Sequence, residues 1–376
     1  MATENPYARR VLRWSAVTAA GALALAPGIA AAAKTPAPDW KQVAAASVPG
    51  FTHTDLDSVA ADRGDAWALG VSWHGDSGTT SLWRWNGKTL NRVALPAGYA
   101  STTAGGNSFA VAATRQDGWL FKGGTWLRSD GHLRETGTLP GDTSVTTETA
   151  AGVPGTGQVW AFGSDVDKAY AARFDGTRWT RSTLPQPGPD YVVYGASAVA
   201  ANDVWAVADL NSVNTGNPYL LHWNGHRWAT LKLPASLRGT DTWGNAVSAR
   251  SASDVWVAGR TSSGPNGPET FVAHWNGRTW TDGALLTSDK AEGAGVEQIA
   301  RDGRGGLWVV ASGADTPQLW HYANGSFAQA RTNAAFHPED VVQVPGTTSV
   351  WAAGSSGDNS TQQASGALLL NGKLRP

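Results

Sequence analysis

The sequence predicts an all-β fold, a seven-bladed β-propeller of four-stranded antiparallel blades, and two periodic signals support it. The first is a tryptophan that recurs every 41 to 52 residues, the period of propeller blades, at Trp67, Trp119, Trp160, Trp205, Trp256, Trp308 and Trp351. The second is an Asn-Gly or Asp-Gly pair in each repeat, at residues 86–87, 130–131, 175–176, 224–225, 276–277, 324–325 and 371–372. Such a pair between apolar runs is the strongest short signal for a β-hairpin, with a type I′ turn.

The clearest copy of the repeat, Tyr191–Pro234, indicates how one unit forms four strands. Four short apolar and aromatic runs are separated by turn residues, which is the pattern of an antiparallel meander. One run, Tyr219–Trp223, is apolar almost throughout, as expected of a strand buried on both faces between neighbouring blades. A leucine follows the Asn or Asp by nine residues in five successive units, at Leu95, Leu139, Leu184, Leu233 and Leu285.

The last unit is incomplete, and the sequence indicates what completes it. The chain ends at Pro376, soon after the Asn371-Gly372 turn, which leaves no room for a fourth strand. At the other end, Trp40–Val43, running on to Val48-Pro49, has the pattern of an unpaired fourth strand. We expect this N-terminal strand to complete the last blade and to close the propeller.

The repeat resembles kelch-like and related Trp-Asn-Gly repeat β-propellers of secreted bacterial proteins. The resemblance covers roughly all of residues 34–376, and Trp223-Asn224-Gly225 and Trp275-Asn276-Gly277 carry its signature. It implies the fold of the central domain of galactose oxidase. It implies no copper chemistry, because that cofactor derives from a cysteine and the sequence has none. Propellers host many activities, so the resemblance specifies no function.

Residues 1–33 are predicted to be a signal peptide, and residues 34–376 a single β-propeller domain. Three arginines within the first 13 residues precede the uncharged run Ala16–Ala33, which ends in small residues suited to cleavage. The adjacent Arg9 and Arg10 resemble a twin-arginine signal, with a general secretory signal as the alternative. The run is too poor in large apolar residues for a membrane span. We therefore expect a secreted, extracellular or cell-envelope-associated protein.

Composition and motifs narrow the classes of partner and cofactor. A net charge of −1 gives no electrostatic case for nucleic acid or for an anionic membrane. The absence of cysteine excludes disulfides, thiolate metal sites and cysteine nucleophiles. No phosphate-binding loop, EF-hand loop or serine elbow is present. We expect no cofactor, no metal and no membrane span, and we expect a monomer.

Binding is expected on one rim of the propeller, which we call the variable rim. This rim carries the loops between the second and third strands of each blade and the connections from one blade to the next. The recurring tryptophan of each repeat, which we call the marker tryptophan, precedes the Asn/Asp-Gly pair by 11 to 20 residues, so the loop between the second and third strands varies in length. Function tends to lie on variable loops held by a rigid scaffold. The candidate binding residues are His53, Trp73, His74, Asp76, Tyr194, Trp243, Phe336 and His337. Trp73, in a long loop Val71–Thr80, is the leading contact. Such side chains stack on sugars or grip peptides, so the expected ligand is a glycan, a peptide or a protein; loops that simply pack on their own aromatics are the alternative.

A propeller hydrolase or lyase is the rival to this non-enzymatic binding protein, and a structural envelope protein is a third option. The carboxylates expected at the mouth of the central channel are Asp57, Glu148, Glu297 and Asp340, because each lies at or just before a first strand. A polar cluster between blades one and seven would combine His53, His74 and His337 with Asp55, Asp57, Asp76, Glu339 and Asp340. An enzyme would bring several carboxylates of shifted pKa within hydrogen-bond reach of a histidine. His222 and His274, at equivalent repeat positions, are expected to be structural.

Overall fold

Every regular element in the described part of the chain is a β-strand. The structure, a computed structural model, describes residues 40–75, 77–96, 99, 101–102, 109–114, 117–129, 133–141, 144–166, 168–185, 188, 190–210, 216–234, 237, 242–264, 267–282, 295–312, 317–332, 336–358 and 363–373. The predicted signal peptide and Asp76 lie outside these residues. None of the described residues belongs to a helix long and apolar enough to cross a membrane.

The strands are β1 (Trp40–Ala46), β2 (His53–Asp62), β3 (Asp65–His74), β4 (Ser77–Trp85), β5 (Leu90–Val93), β6 (Ser101–Thr102), β7 (Phe109–Thr114), β8 (Asp117–Lys122), β9 (Thr125–Ser129), β10 (Leu133–Thr138), β11 (Thr146–Gly152), β12 (Val159–Ser164), β13 (Ala169–Phe174), β14 (Trp179–Ser182), β15 (Tyr191–Ala200), β16 (Asp203–Leu210), β17 (Tyr219–Trp223), β18 (Trp228–Leu231), β19 (Thr242–Ser251), β20 (Asp254–Gly264), β21 (Gly267–Trp275), β22 (Trp280–Asp282), β23 (Gly295–Arg301), β24 (Leu307–Ser312), β25 (Pro317–Ala323), β26 (Ser326–Gln329), β27 (Phe336–Gln343), β28 (Val350–Asp358) and β29 (Gln363–Asn371).

These strands form one nine-stranded sheet and five four-stranded antiparallel sheets. Each four-stranded sheet is a meander, and we number them 2 to 6: β7–β10, β11–β14, β15–β18, β19–β22 and β23–β26. The nine-stranded sheet contains β2–β5, called meander 1, with β6 beside β4, and β27–β29, called meander 7. One parallel residue pair, His53 with Ala364, connects meanders 1 and 7. β1 runs antiparallel beside β29, from Trp40 opposite Asn371 to Ala46 opposite Gly366.

The hydrophobic core of the described residues consists of seven clusters, each of which joins two meanders. The cluster between meanders 4 and 5, for example, combines Trp205 with Val255 and Val257. Another joins meanders 1 and 7, where the rings of Trp85 and Trp351 lie 5.8 Å apart. The first strands of successive meanders contact one another in chain order, and β27 contacts β2. Burial on both faces explains why strands such as β17 do not alternate between apolar and polar residues.

The seven marker tryptophans are all buried. In the first six meanders, an arginine or histidine of the third strand lies over the ring. His222 stacks on Trp205 with ring centroids 4.0 Å apart, and its Nε2 lies 2.9 Å from an oxygen of Asp203. His274 takes the equivalent place over Trp256, 2.8 Å from Asp254. These two histidines are structural, as predicted. In meanders 1 and 2 an arginine replaces the histidine in the same arrangement.

The Asn-Gly hairpins form, but most of them differ from the predicted type I′ turn. Asn324 and Gly325 have φ values of 52° and 79°, as a type I′ turn requires. At Asn86, only the following glycine has a positive φ. There the Asn86 side-chain oxygen accepts hydrogen bonds from the backbone N–H groups of Lys88 and Thr89, at 3.1 and 3.0 Å. The Asn86 side chain thus stabilises a turn other than type I′. Hydrogen bonds from the backbone to a side chain compete with those of the regular turn, and sequence periodicity does not predict which set forms.

Candidate functional site

A β-bulge interrupts the first strand of six meanders at the same place. The pairing register shifts between Leu56 and Ser58, and equivalent shifts occur in β11, β15, β19, β23 and β27. The residues left unpaired are Asp57, Glu148, Tyr194, Asn245, Glu297 and Glu339, and we call them the bulge residues. A bulge re-aims the side chain of the unpaired residue, and bulges are common beside functional sites.

Glycines on the second strand make room for four of these bulges. A Cβ on Gly163 would collide with the backbone oxygen of Thr146, two residues before the bulge residue Glu148. A Cβ on Gly354 would collide in the same way with the backbone oxygen of His337, two residues before Glu339. Gly70 and Gly259 have the same relation to Asp57 and Asn245. Close approach of one backbone to another is a recognised reason for glycine inside a strand.

A cavity of about 960 Å³ lies between the first strands of the meanders. Its lining includes the four bulge carboxylates Asp57, Glu148, Glu297 and Glu339, which we call the acidic mouth. The bulge residue Tyr194 lines the same end. Burial is the main cause that raises the pKa of its phenol, and the charges of Asp209 and Glu148 contribute to the increase. The basic residues of the lining, Arg250, Arg301 and Lys373, belong to the opposite end, where the first strands finish. The walls between the two ends are mostly small apolar residues, such as Ala112 and Ala198.

Within the acidic mouth, the charge of Glu339 acts on Asp57 and the charge of Glu297 acts on Glu339. Burial, followed by the charges of Asp55, Glu297 and Asp340, raises the pKa of Glu339 to about 7. Desolvation by the walls raises the pKa of Asp57 well above its usual value, with added repulsion from Asp55 and Glu339. By surface area, however, the Asp57 side chain is exposed to the cavity. Because solvent in the cavity reaches the Asp57 carboxylate, its desolvation is reduced. Repulsion by Asp55 and Glu339 is therefore the cause of the raised pKa that the geometry supports best.

Asp340 takes a different role from the one predicted. It was expected at the channel mouth, but its side chain is buried and accepts hydrogen bonds from the backbone N–H groups of Val59 and Val341, both at 2.7 Å. The Ser58 hydroxyl donates a third, at 3.1 Å. Both residues line the cavity, but the unpaired bulge residue, with a side chain that is only partly buried, is its neighbour Glu339. Adjacent strand residues point to opposite faces, so an error of one position exchanges the exposed and the buried carboxylate.

Part of the polar cluster expected between blades one and seven forms. The charges of Asp55 and Glu339 raise the pKa of Asp57, and the charges of Asp55 and Asp340 raise the pKa of Glu339, in each case in addition to burial. Nε2 of His53 lies 2.7 Å from an oxygen of Asp55, but the ring is buried and does not line the cavity. His74 is exposed at the end of β3, and His337 is half-buried opposite Ser355. In the described part of the chain no three His, Asp or Glu side chains are arranged to hold a metal ion.

A side pocket of about 270 Å³ adjoins the acidic mouth, since Tyr194 and Glu297 line both spaces. Its walls come from meanders 4, 5 and 6. The guanidinium of Arg260 lies over the ring of Trp243, 4.6 Å from the ring centre. The bulge residue Asn245 also lines the pocket.

Asp209 supports the side pocket from below the surface. Its side chain is buried and accepts hydrogen bonds from the backbone N–H groups of Leu210, Asn217 and Gly244, at 2.7, 2.6 and 2.7 Å. Burial raises its pKa to about 6, and these three hydrogen bonds limit the rise. Because Gly244 belongs to meander 5 and Asp209 to meander 4, the carboxylate fixes the two walls of the pocket relative to each other.

Among the predicted binding residues, Tyr194 and Trp243 line these cavities, whereas His53, Trp73, His74, Phe336 and His337 do not. Trp73 is half-buried at the end of β3, opposite His53. The long loop predicted over Val71–Thr80 is instead a strand hairpin, since β3 continues to His74 and β4 begins at Ser77. Phe336 packs against the core cluster of Trp308.

Sequence reasoning missed Arg260, Asp209 and Asn245. One signal was available for the bulges: in four repeats a glycine follows the marker tryptophan by three residues, at Gly70, Gly163, Gly259 and Gly354. Each of these glycines faces a bulge. No comparable signal exists for Arg260, because its position depends on the pairing of β19 with β20.

Neither a family model nor a curated protein matches this sequence. Solved structures do resemble the fold. YCF48 from Cyanidioschyzon merolae is 13% identical with a TM-score of 0.51, over 88% of this chain and 98% of that one. The β-propeller domain of Cps50 (Swd1) from Myceliophteria thermophila is 12% identical with a TM-score of 0.52, over 83% and 96%. The β-propeller domain of the trilobed protease from Pyrococcus furiosus is 8% identical with a TM-score of 0.52, over 86% and 95%. At these identities the likeness shows the fold alone, which is a β-propeller.

Proposed function

We propose that this protein is a non-enzymatic binding propeller that holds a positively charged ligand group at the acidic mouth. The observation that carries the proposal is the convergence of Asp57, Glu148, Glu297 and Glu339 on one end of the cavity. These carboxylates come from four meanders, and each is the unpaired residue of a bulge. No lysine or arginine among the described lining residues of the main cavity shares that end.

A cationic ligand group relieves the repulsion within the mouth. Two unit charges 4 Å apart attract by about 4 kcal/mol at the effective dielectric of a protein surface. Among the expected ligand classes, a peptide or protein segment that carries lysine or arginine supplies such a charge. A neutral glycan leaves the carboxylates unpaired, and an acidic glycan adds to their repulsion. A basic peptide segment is therefore the ligand that the electrostatics favour.

An array of peptides and glycans tests this choice. We expect lysine- or arginine-containing peptides to bind, and we expect the binding to weaken as salt rises, because salt screens charges at a solvent-filled mouth. The matched variant is Glu339→Gln, which removes one charge and keeps the shape. Binding of neutral glycans alone, unaffected by salt or by this variant, would contradict the proposal.

The hydrolase or lyase alternative has one observation in its favour. The pKa of Glu339, at about 7, suits a general acid that works beside ionised carboxylates. Against it, His53 is buried and does not line the cavity, so it is not placed to contact a substrate there. A panel of hydrolase substrates separates the two functions: turnover that Glu339→Gln abolishes would establish the enzyme, whereas a binding protein shows none.

We further propose that the seven meanders form a closed seven-bladed ring, with β1 as the fourth strand of the last blade. The core cluster between meanders 1 and 7 supports closure, as does the contact of β27 with β2. Deletion of residues 34–50 should then lower the melting temperature sharply, because it exposes the edge of β29 and removes Trp40 from the core. A deletion variant that melts like the longer protein would contradict closure.

The proposed setting of this binding function is outside the cytoplasm, on the signal-peptide pattern of residues 1–33. Changing both Arg9 and Arg10 to Lys tests the twin-arginine route, which predicts that secretion stops. Trp73, His74 and the other rim candidates remain part of the proposal as contacts for the outer portion of a long ligand.

A further inference from the structure

Arg260 differs from the other arginines that stack on aromatic rings. Arg84 and Arg128 each pair with an aspartate, at 2.8 and 2.6 Å, and Arg173 donates to the Gln158 side chain at 2.9 Å. Arg181 pairs with Asp165 at 2.5 Å. In the described part of the chain, the side chain of Arg260 has only its contact with the ring of Trp243.

The guanidinium of Arg260 is therefore oriented but unpaired in the side pocket. Stacking on Trp243 restricts its motion, so little side-chain entropy is lost when a ligand binds. Asp209, which also lines the pocket, already accepts three backbone hydrogen bonds. A planar guanidinium with free N–H donors is the group that proteins use to hold carboxylates in a bidentate manner.

We propose that the side pocket binds the C-terminal carboxylate of a peptide whose last residue is basic. This inference rests on the proposed function, since the cation of that residue is the group held at the acidic mouth. The α-carboxylate pairs with Arg260, and the lysine or arginine side chain reaches Glu297 and the other carboxylates of the mouth. The shared lining residues Tyr194 and Glu297 make the two spaces continuous. A cavity of about 270 Å³ holds one chain end, not a long segment.

The acidic mouth also distinguishes a peptide end from a uronic acid, which carries a carboxylate as well. A uronic acid oligomer has no cation to offset the charges of Glu297 and Glu339, and its further carboxylates are repelled by them. A basic chain end satisfies both spaces at once. The ligand class is accordingly a peptide with a free C-terminal lysine or arginine.

Two peptides that differ only at the chain end test the inference. N-acetyl-Gly-Gly-Lys with a free carboxylate and the same peptide with a C-terminal amide are titrated into the protein by calorimetry. We expect the free acid to bind at least about tenfold more tightly, the value of one charge-assisted interaction. Arg260→Gln should make the two affinities equal. Arg227→Gln, an exposed arginine on an Asn-Gly hairpin, is the matched control and should keep the ratio.

Each remaining outcome is informative. Equal affinity of acid and amide for the unchanged protein overturns the carboxylate site and leaves the proposed function standing, and this comparison needs no variant. Discrimination that survives in Arg260→Gln also overturns it. Glu339→Gln should weaken both peptides and preserve their ratio. Failure of both peptides to bind, or binding of glucuronic acid oligomers instead, overturns the inference and the proposed function together.

Discussion

The carboxylate of Asp340 accepts a 2.7 Å hydrogen bond from the backbone N–H of Val59, although 281 residues separate the two in the chain. Asp340 lies on the first strand of meander 7, and Val59 lies on the first strand of meander 1. The hydroxyl of Ser58 donates to the same oxygen at 3.1 Å. A buried side chain therefore connects the first and last meanders, at the place where the proposed ring closes.

Removal of this acceptor should destabilise the protein. Asp340→Ala leaves the Val59 N–H buried without a partner, which should cost about 1–3 kcal/mol of unfolding free energy. Asp340→Asn keeps an acceptor oxygen and should cost less. Urea denaturation of both variants measures the difference. Equal losses in the two variants would show that the hydrogen bond contributes little.

Acidification from pH 8 to pH 5 should raise the melting temperature. The pKa values of Glu339 and Asp340 are each raised to about 7, against about 4 for such groups in an unfolded chain. A carboxyl group with the higher pKa in the folded state holds its proton more tightly there. Its stabilising contribution is fully present below pH 4 and is lost as the pH rises through 7.

Thermal unfolding at the two pH values measures this effect. Asp340→Asn should reduce the difference, because the amide does not titrate. A melting temperature that stays constant or falls on acidification to pH 5 would contradict the raised pKa values.

The sequence predicted the repeat, the strand order and the acidic residues near the mouth, because these follow from periodicity. Asp57, Glu148 and Glu297 were selected from their places at the starts of first strands. Glu339 was predicted only as a member of the polar cluster, and Asp340 was predicted at the channel mouth instead. The bulge shifts the register of the strand by one residue, so the two carboxylates exchange these places. Alternation along a strand does not indicate where the register changes.

Gly354→Ala should disturb the bulge that presents Glu339. The added Cβ collides with the backbone oxygen of His337, and overpacking of this kind costs about 1–3 kcal/mol. Binding of a basic peptide should weaken as well. Gly157→Ala, where a Cβ meets nothing within 4 Å, is the control. If both variants have the stability and affinity of the unchanged protein, the glycine has no part in the bulge.

The substitution of two tryptophans by alanine should distinguish a core position from a position on the variable rim. Trp205→Ala should cost about 3–5 kcal/mol of stability by opening a cavity in the core, because Trp205 is 2% exposed. Trp73 is only half-buried, and Trp73→Ala should cost clearly less. If a long ligand crosses the rim, the same change should weaken its binding by about 1–3 kcal/mol. Denaturation and calorimetry check both values, and equal destabilisation by the two variants would assign Trp73 to the core.

The side pocket was the least predictable part of the site. Trp243 stood out because it is out of phase with the repeat, but nothing in the sequence placed Arg260 over it. That contact requires the pairing of Trp243 with Arg260 across β19 and β20. Pairing between strands, like the burial of Asp209, is a property of the folded chain and not of a sequence window.

Calorimetric titration of a lysine-rich peptide into the unchanged protein and into a variant without the acidic mouth tests the binding proposal most directly. The variant combines Asp57→Asn, Glu148→Gln, Glu297→Gln and Glu339→Gln, and the same peptide with acetylated lysines is the control. We predict that the unchanged protein binds the lysine peptide, that the variant binds it at least about 100-fold more weakly, and that acetylation abolishes the difference. Equal affinity of the two proteins for the lysine peptide would contradict the assignment of the acidic mouth as the binding site.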